Sequence, residues 1–195
     1  MLTFDLQTMS LIWLLPYKIE LTWTSPRGHP TRPTRCNPAF GKSCWEHLFV
    51  GELLQCLWRT NRRSVEVLRA ETDASGYDLV LECNGVLRHV QFKSSHCDAS
   101  TRDVTVHVNL AKKPSGCVIW IVFDTDTLKL GPFLWFGGSP DQPLPPLGDR
   151  VARHAKGDST GRKSPRPNLR VVGRNQFKEL SNIDRVAIEL FGVPR

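Results

Sequence analysis

Residues 76–95 read GYDLVLECNGVLRHVQFKSS, and the architecture of the chain is built out from them. Asn84-Gly85 stands between two alternating runs, Tyr77–Cys83 and Val86–Lys93. That is the pattern of a β-hairpin closed by a two-residue type I′ turn, in which both turn residues take positive φ. The turn sets the register. Cys83 faces Val86, and counting back along both strands brings Asp78 opposite Gln91. Cross-strand partners project to one face of a sheet, and Lys93, two residues past Gln91, projects the same way. An acid, an amide and an amine therefore converge on one face. On the reverse face Tyr77, Leu79 and Leu81 meet Phe92, Val90 and Arg88, a mostly apolar set suited to a core. A slip of one residue would take Asp78 out of the cluster.

Before the hairpin, residues 43–60 have helical period, with Trp45, Leu48, Phe49, Leu53 and Cys56 on one stripe. Ser43 with Glu46 three positions later has the form of a capping box. Glu52 falls in the middle of that stripe. A buried carboxylate without a partner is costly, so Glu52 either has a partner, a lysine or a metal, or escapes to the edge of the stripe or to an arginine. Ser64–Arg69 is strand-like. After the hairpin, Val104–Leu110 alternates as a strand, Cys117–Asp124 reads as a buried central strand, and Pro132–Phe136 as another. Residues 137–149 form a proline-rich connector, 156–170 a basic loop, and Leu169–Val172 a last strand. A closing helix over 182–191, capped by Ser181, stops at Gly192 and Pro194. Helix, strands and helix together indicate an α/β or α+β domain with a mixed sheet.

The composition sets bounds on this domain. The chain has 195 residues, 40% hydrophobic and 23% charged, which excludes collagen, coiled-coil and wholly disordered classes. Twenty-six Lys+Arg against 19 Asp+Glu give a net charge of +7, a surplus suited to a polyanionic partner. The six cysteines have no CxxC spacing, which argues against a zinc site or redox pair and for a reducing cytoplasm. No run approaches the roughly 20 apolar residues of a membrane span. The longest apolar run, Leu11–Tyr17, is short, contains Pro16 and lacks the preceding positive charge of a signal peptide. Residues 1–40 differ from the rest, since 24–39 (TSPRGHPTRPTRCNPA) is rich in proline and arginine without apolar period. They read as a basic, flexible extension ahead of a domain over 41–195.

Helix Glu52, a strand with Asp78 and Gln91-x-Lys93 on the next strand together resemble the PD-(D/E)xK nuclease superfamily in its QxK variant. They look most like the bacterial group of small restriction-endonuclease-like proteins with a G-x-x-L helix and a G-Y-D-L…V-Q-x-K-S core. The likeness is tight over about 44–95 and looser toward the C-terminus. It implies a restriction-endonuclease-like mixed sheet flanked by helices and a Mg²⁺- or Mn²⁺-dependent endonuclease that hydrolyses phosphodiester bonds in DNA, with RNA left open. By the resemblance, Asp78 is the principal metal ligand, Gln91 and the Phe92 carbonyl supply neutral oxygens, and Glu52 binds directly or through water. Lys93 positions or activates the attacking water, or stabilises charge on the phosphate. The chemistry suits the residue types, because phosphodiester hydrolysis uses a hard cation held by oxygen ligands. Gln91 departs from the commoner Asp or Glu, removing one negative charge, which weakens metal affinity and argues against a two-metal site. Tyr77 stands where the family's nominal proline would be.

Phosphate contacts are expected from Arg59, Arg62 and Arg63 at the end of the first helix and from Lys156, Arg162, Lys163, Arg166 and Arg170 in the late loop. A domain that cuts both strands is compatible with a homodimer. Two other readings compete: an inactive nucleic-acid-binding module on the same fold, favoured by Gln91, and a structural or interaction domain in which Glu52 and Lys93 form a buried ion pair.

Overall fold

The Asn84-Gly85 turn has positive φ at both residues, 50° and 80°, and sets Cys83 against Val86. The computed structural model in which this hairpin lies describes residues 38–70, 75–157 and 159–194. The first 37 residues of the expected N-terminal extension lie outside the described residues. In chain order the elements are α1 (Pro38–Arg59), β1 (Val65–Arg69), β2 (Leu79–Cys83), β3 (Val86–His96), β4 (Asp103–His107), β5 (Gly116–Phe123), β6 (Leu130–Gly137), β7 (Val151–Arg153), β8 (Pro165–Gly173), β9 (Lys178–Leu180) and α2 (Ile183–Phe191). A 3-10 helix, Val108–Lys112, follows β4, and another, Arg174–Gln176, follows β8. The result is a mixed α/β fold. Six strands form one sheet in the order β1-β2-β3-β5-β6-β9, and three form a second in the order β4-β8-β7. Among the described residues, only the β3–β5 pair is parallel.

Alternation along the central strands assigns each face of the large sheet its own core. Val90 and Phe92 of β3, Cys117, Ile119 and Ile121 of β5, and Phe133 and Trp135 of β6 turn to the side covered by α1 and α2. Phe49 meets Phe92 and Phe133 edge-on, at 5.1 and 5.8 Å between ring centroids. The intervening residues Val118, Trp120, Leu134 and Phe136 pack with Val106 and Val172 of the second sheet. Trp120 and Trp135 are both core, as their apolar strands imply. Among the described residues, no helix is long and apolar enough to cross a membrane.

Several expectations need correction. Helix α1 starts at Pro38, so Ser43 lies inside it and Ser43–Glu46 is no capping box. Proline has no N–H to lose in a first helical turn, which lets the helix begin in the proline-rich segment, ahead of the expected boundary at 41. The buried stripe of α1 is Trp45, Phe49, Leu53, Cys56 and Leu57, with Leu48 only half-buried. Its centre is turned toward Leu57, which leaves Glu52 half-buried at the edge. The helix ends in a Schellman motif: Asn61, at φ 60°, donates its N–H to Trp58 O, and Arg62 N–H to Leu57 O. The strand expected over Val104–Leu110 stops at His107 and tightens into the 3-10 helix. The basic loop becomes strand at Pro165. Pro165 pairs only toward β7 and Pro167 with neither neighbour, while β4 joins from Leu169, so the missing proline N–H groups break no ladder there. The cap of α2 is Asn182, whose side chain accepts the Arg185 N–H at 3.0 Å, rather than Ser181.

Candidate functional site

Asp78 sits one residue before β2, where the main-chain ladder with β3 runs out. Its own N–H still donates to Val90 O at 2.8 Å, and its carboxylate Oδ2 accepts the Phe92 N–H at 2.6 Å. The side chain thus takes the place of the next backbone partner. Strand geometry turns the Phe92 carbonyl to the same edge as its N–H, toward this carboxylate. Gln91 and Lys93 alternate to the face away from α1 and α2. Among the described residues, Asp78, Gln91 and Lys93 line one cavity of about 470 Å³ together with Thr105 and His107 of β4, His154, and the Pro165–Leu169 stretch of β8.

Gln91 is only 4% exposed, and its Oε1 accepts the His107 main-chain N–H at 3.2 Å. A neutral amide suits this buried place, where a carboxylate would carry a charge out of water. Among the described residues, no three His, Cys, Asp or Glu side chains form a metal-binding cluster. The oxygens that the resemblance would use are of another kind: the Asp78 carboxylate and the Gln91 amide in the cavity, and the Phe92 main-chain carbonyl at the strand edge. That set fits Mg²⁺, which keeps several waters and is commonly held through one or two carboxylates plus substrate phosphate.

The helix acid is placed differently from the expectation. Helix α1 covers the Val90–Phe92 face of the sheet, and Glu52 does not line the cavity with Asp78, Gln91 and Lys93. Burial pushes its carboxyl above the usual glutamate range. Glu46, six residues and thus roughly 9 Å nearer the start of the helix, lines a second cavity of about 360 Å³ together with Lys93, Phe92 and Ser94. It is 9% exposed and ion-pairs with Arg69 of β1 at 3.4 Å. Sequence reasoning missed it because it read as a capping residue. The available signal was its angle, 100° on from Trp45 and close to Leu57 on the helical wheel.

The basic residues divide into two groups. Arg59, Arg62 and Arg63 belong to the turn end of the hairpin, where Arg62 shares a hollow with Cys83, Asn84 and Val86. Seven strand residues, roughly 23 Å, separate that end from Lys93. Arg62 is buried and donates from Nη2 to Gly192 O at 2.6 Å, so it caps α2 and is not available to a phosphate. Arg63 lies over the Trp58 ring, and Arg59 faces Asp184 at 3.6 Å. In the late segment Lys156, Arg162, Lys163 and Arg166 are exposed, and of these Arg166 lines the cavity. Arg170 is half-buried and donates to Pro167 O at 2.7 Å. No protein-family model and no curated protein matches this sequence.

Proposed function

We propose that the chain is a metal-dependent endonuclease of the PD-(D/E)xK, restriction-endonuclease-like kind, acting on DNA in the cytoplasm. The observation that carries this reading is the convergence of Asp78, Gln91 and Lys93 on one cavity whose far wall holds Arg166. Asp78, the Phe92 carbonyl and Gln91 Oε1 would hold one Mg²⁺ or Mn²⁺, which when bound supplies Lewis-acid polarisation of the phosphate and a lower pKa for water. Asp78 is oriented for this by the Phe92 N–H. The Lys93 ammonium offsets the charge that develops on the phosphoryl oxygens, a contribution realised mainly in the transition state. Glu46 brings a carboxylate to the neighbouring cavity that Lys93 also lines.

A second reading, an inactive nucleic-acid-binding module on the same scaffold, is favoured by one observation: Gln91 is neutral and its oxygen already accepts the His107 N–H. Cleavage assays decide between them. Wild type should cut DNA with Mg²⁺ or Mn²⁺ and stop when the metal is chelated. Asp78→Ala should abolish both metal binding and cleavage. Lys93→Ala should keep metal binding and lose about 10²–10³-fold or more in rate. Wild type that leaves single- and double-stranded DNA and RNA intact with both metals, or cleavage that survives Asp78→Ala, overturns the enzyme. Salt-dependent DNA binding without cleavage selects the binding module.

A further inference from the structure

Beyond the hairpin residues, the cavity contains an imidazole held both at its ring and through its main chain. His107 ends β4 and lines the cavity with Asp78, Gln91 and Lys93. Its ring Nδ1 accepts the Asn109 main-chain N–H at 3.1 Å, so the proton of the neutral ring sits on Nε2. Its own main-chain N–H is fixed on Gln91 Oε1 at 3.2 Å. Gly76 lies against the ring: a Cβ there would stand 2.9 Å from His107 Cβ and 3.0 Å from Nδ1. Gly76 also has φ of 79°, which glycine adopts at no steric cost. Among the described residues, nothing accepts a hydrogen bond from Nε2. The ring is thus held at Nδ1 and packed against Gly76, with the Nε2–H donor left over in the cavity.

We propose that His107 donates from Nε2 to a non-bridging oxygen of a bound phosphate, and that His107 and Arg166 together form a phosphate site beside Asp78. Among the described lining residues, Lys93 and Arg166 offset one carboxylate, that of Asp78, a balance that suits a phosphate. Arginine binds phosphate oxygens through its planar fork of donors, and a neutral imidazole N–H adds one direction-specific donor at no cost in net charge. That the phosphate belongs to a nucleic acid rests on the nuclease reading. The phosphate site itself does not.

The test uses metal-free full-length protein, inorganic phosphate as probe, and the His107 ring resonances as readout. Phosphate should shift the Nε2–H signal of His107 saturably. His107→Asn keeps an acceptor for the Asn109 N–H, as short polar caps do, but removes Nε2. It should unfold at the wild-type temperature and bind phosphate about ten- to a hundredfold more weakly. With metal and DNA, it should lose roughly 10²-fold in kcat/KM. If the variant folds poorly, the wild-type ring titration with Arg166→Ala as the comparison decides alone. A ring signal unmoved by phosphate, or a folded His107→Asn that binds phosphate like wild type, overturns the proposal. Failure of wild type to cut nucleic acid while the ring still reports phosphate refutes the nuclease and leaves the phosphate site standing. Cleavage at the wild-type rate by His107→Asn, together with unchanged phosphate binding, leaves the nuclease standing and overturns the site.

Discussion

Burial of Glu52 raises its carboxyl pKa through desolvation, and the sign of its contribution to stability follows. A raised folded-state pKa means that the folded chain holds the proton more tightly than the unfolded chain. The contribution is fully present below the unfolded value, about 4.3 for glutamate, and is lost as pH rises through the folded value. Glu52→Gln should therefore raise the unfolding temperature at pH 7, and the gain should vanish below about pH 4. In the cleavage assay the two helix glutamates should separate. Glu46→Gln, in the second cavity that Lys93 also lines, should slow cleavage, whereas Glu52→Gln, at the stripe edge and off the first cavity, should not; the opposite result would restore Glu52 to the site. Arg88 shows the other limit of reading residues singly. Its position on the core face was legible, but it is 0% exposed. It donates to Leu190 O, Glu189 O, Gly138 O and Ser139 O, at 2.7, 2.6, 3.1 and 3.3 Å. No pattern within twenty residues of Arg88 foretells four carbonyls from a helix end and a connector.

Elements were legible in proportion to how locally they are determined. The β2–β3 hairpin follows from the turn chemistry of Asn84-Gly85 and from alternation, and it appears in the expected register. The central strand β5 appears as expected, because a continuous apolar run admits little besides burial on both faces. Element ends were harder to place. Pro38 starts a helix and Pro165 a strand, yet both read as breakers, because whether proline is tolerated depends on whether its absent N–H was needed. The two candidate caps of α2 make this testable. Asn182→Ala should lower stability by about 1 kcal/mol, because the side chain holds the Arg185 N–H. Ser181→Ala should change it by less than about 0.5 kcal/mol. Chemical denaturation of both variants measures the difference, and equal costs would return the cap to Ser181.

At the scale of the whole molecule, the charge surplus of +7 is concentrated in function by what the second sheet brings forward. Arg166 reaches the cavity on β8, with Arg162 and Lys163 exposed just ahead of it. Changing all three to Ala should leave the unfolding temperature unchanged. It should flatten the log-affinity against log-salt slope for duplex DNA by up to about 0.9 per lost phosphate contact. An unchanged slope assigns the segment to inert surface. Arg62, with its guanidinium on Gly192 O, belongs to stability instead. The hairpin, its register, the shared face of Asp78, Gln91 and Lys93, and the buried central strand follow from the amino-acid order alone, because turn geometry and two-residue alternation act between near neighbours. Three things emerge only from tertiary packing: which glutamate of α1 shares a cavity with Lys93, which arginines are spent on the end of α2, and that His107 and Arg166 line the cavity of Asp78. Those choices depend on how a helix is rotated about its axis and how two sheets are packed. Both are set by long-range burial that no local pattern encodes.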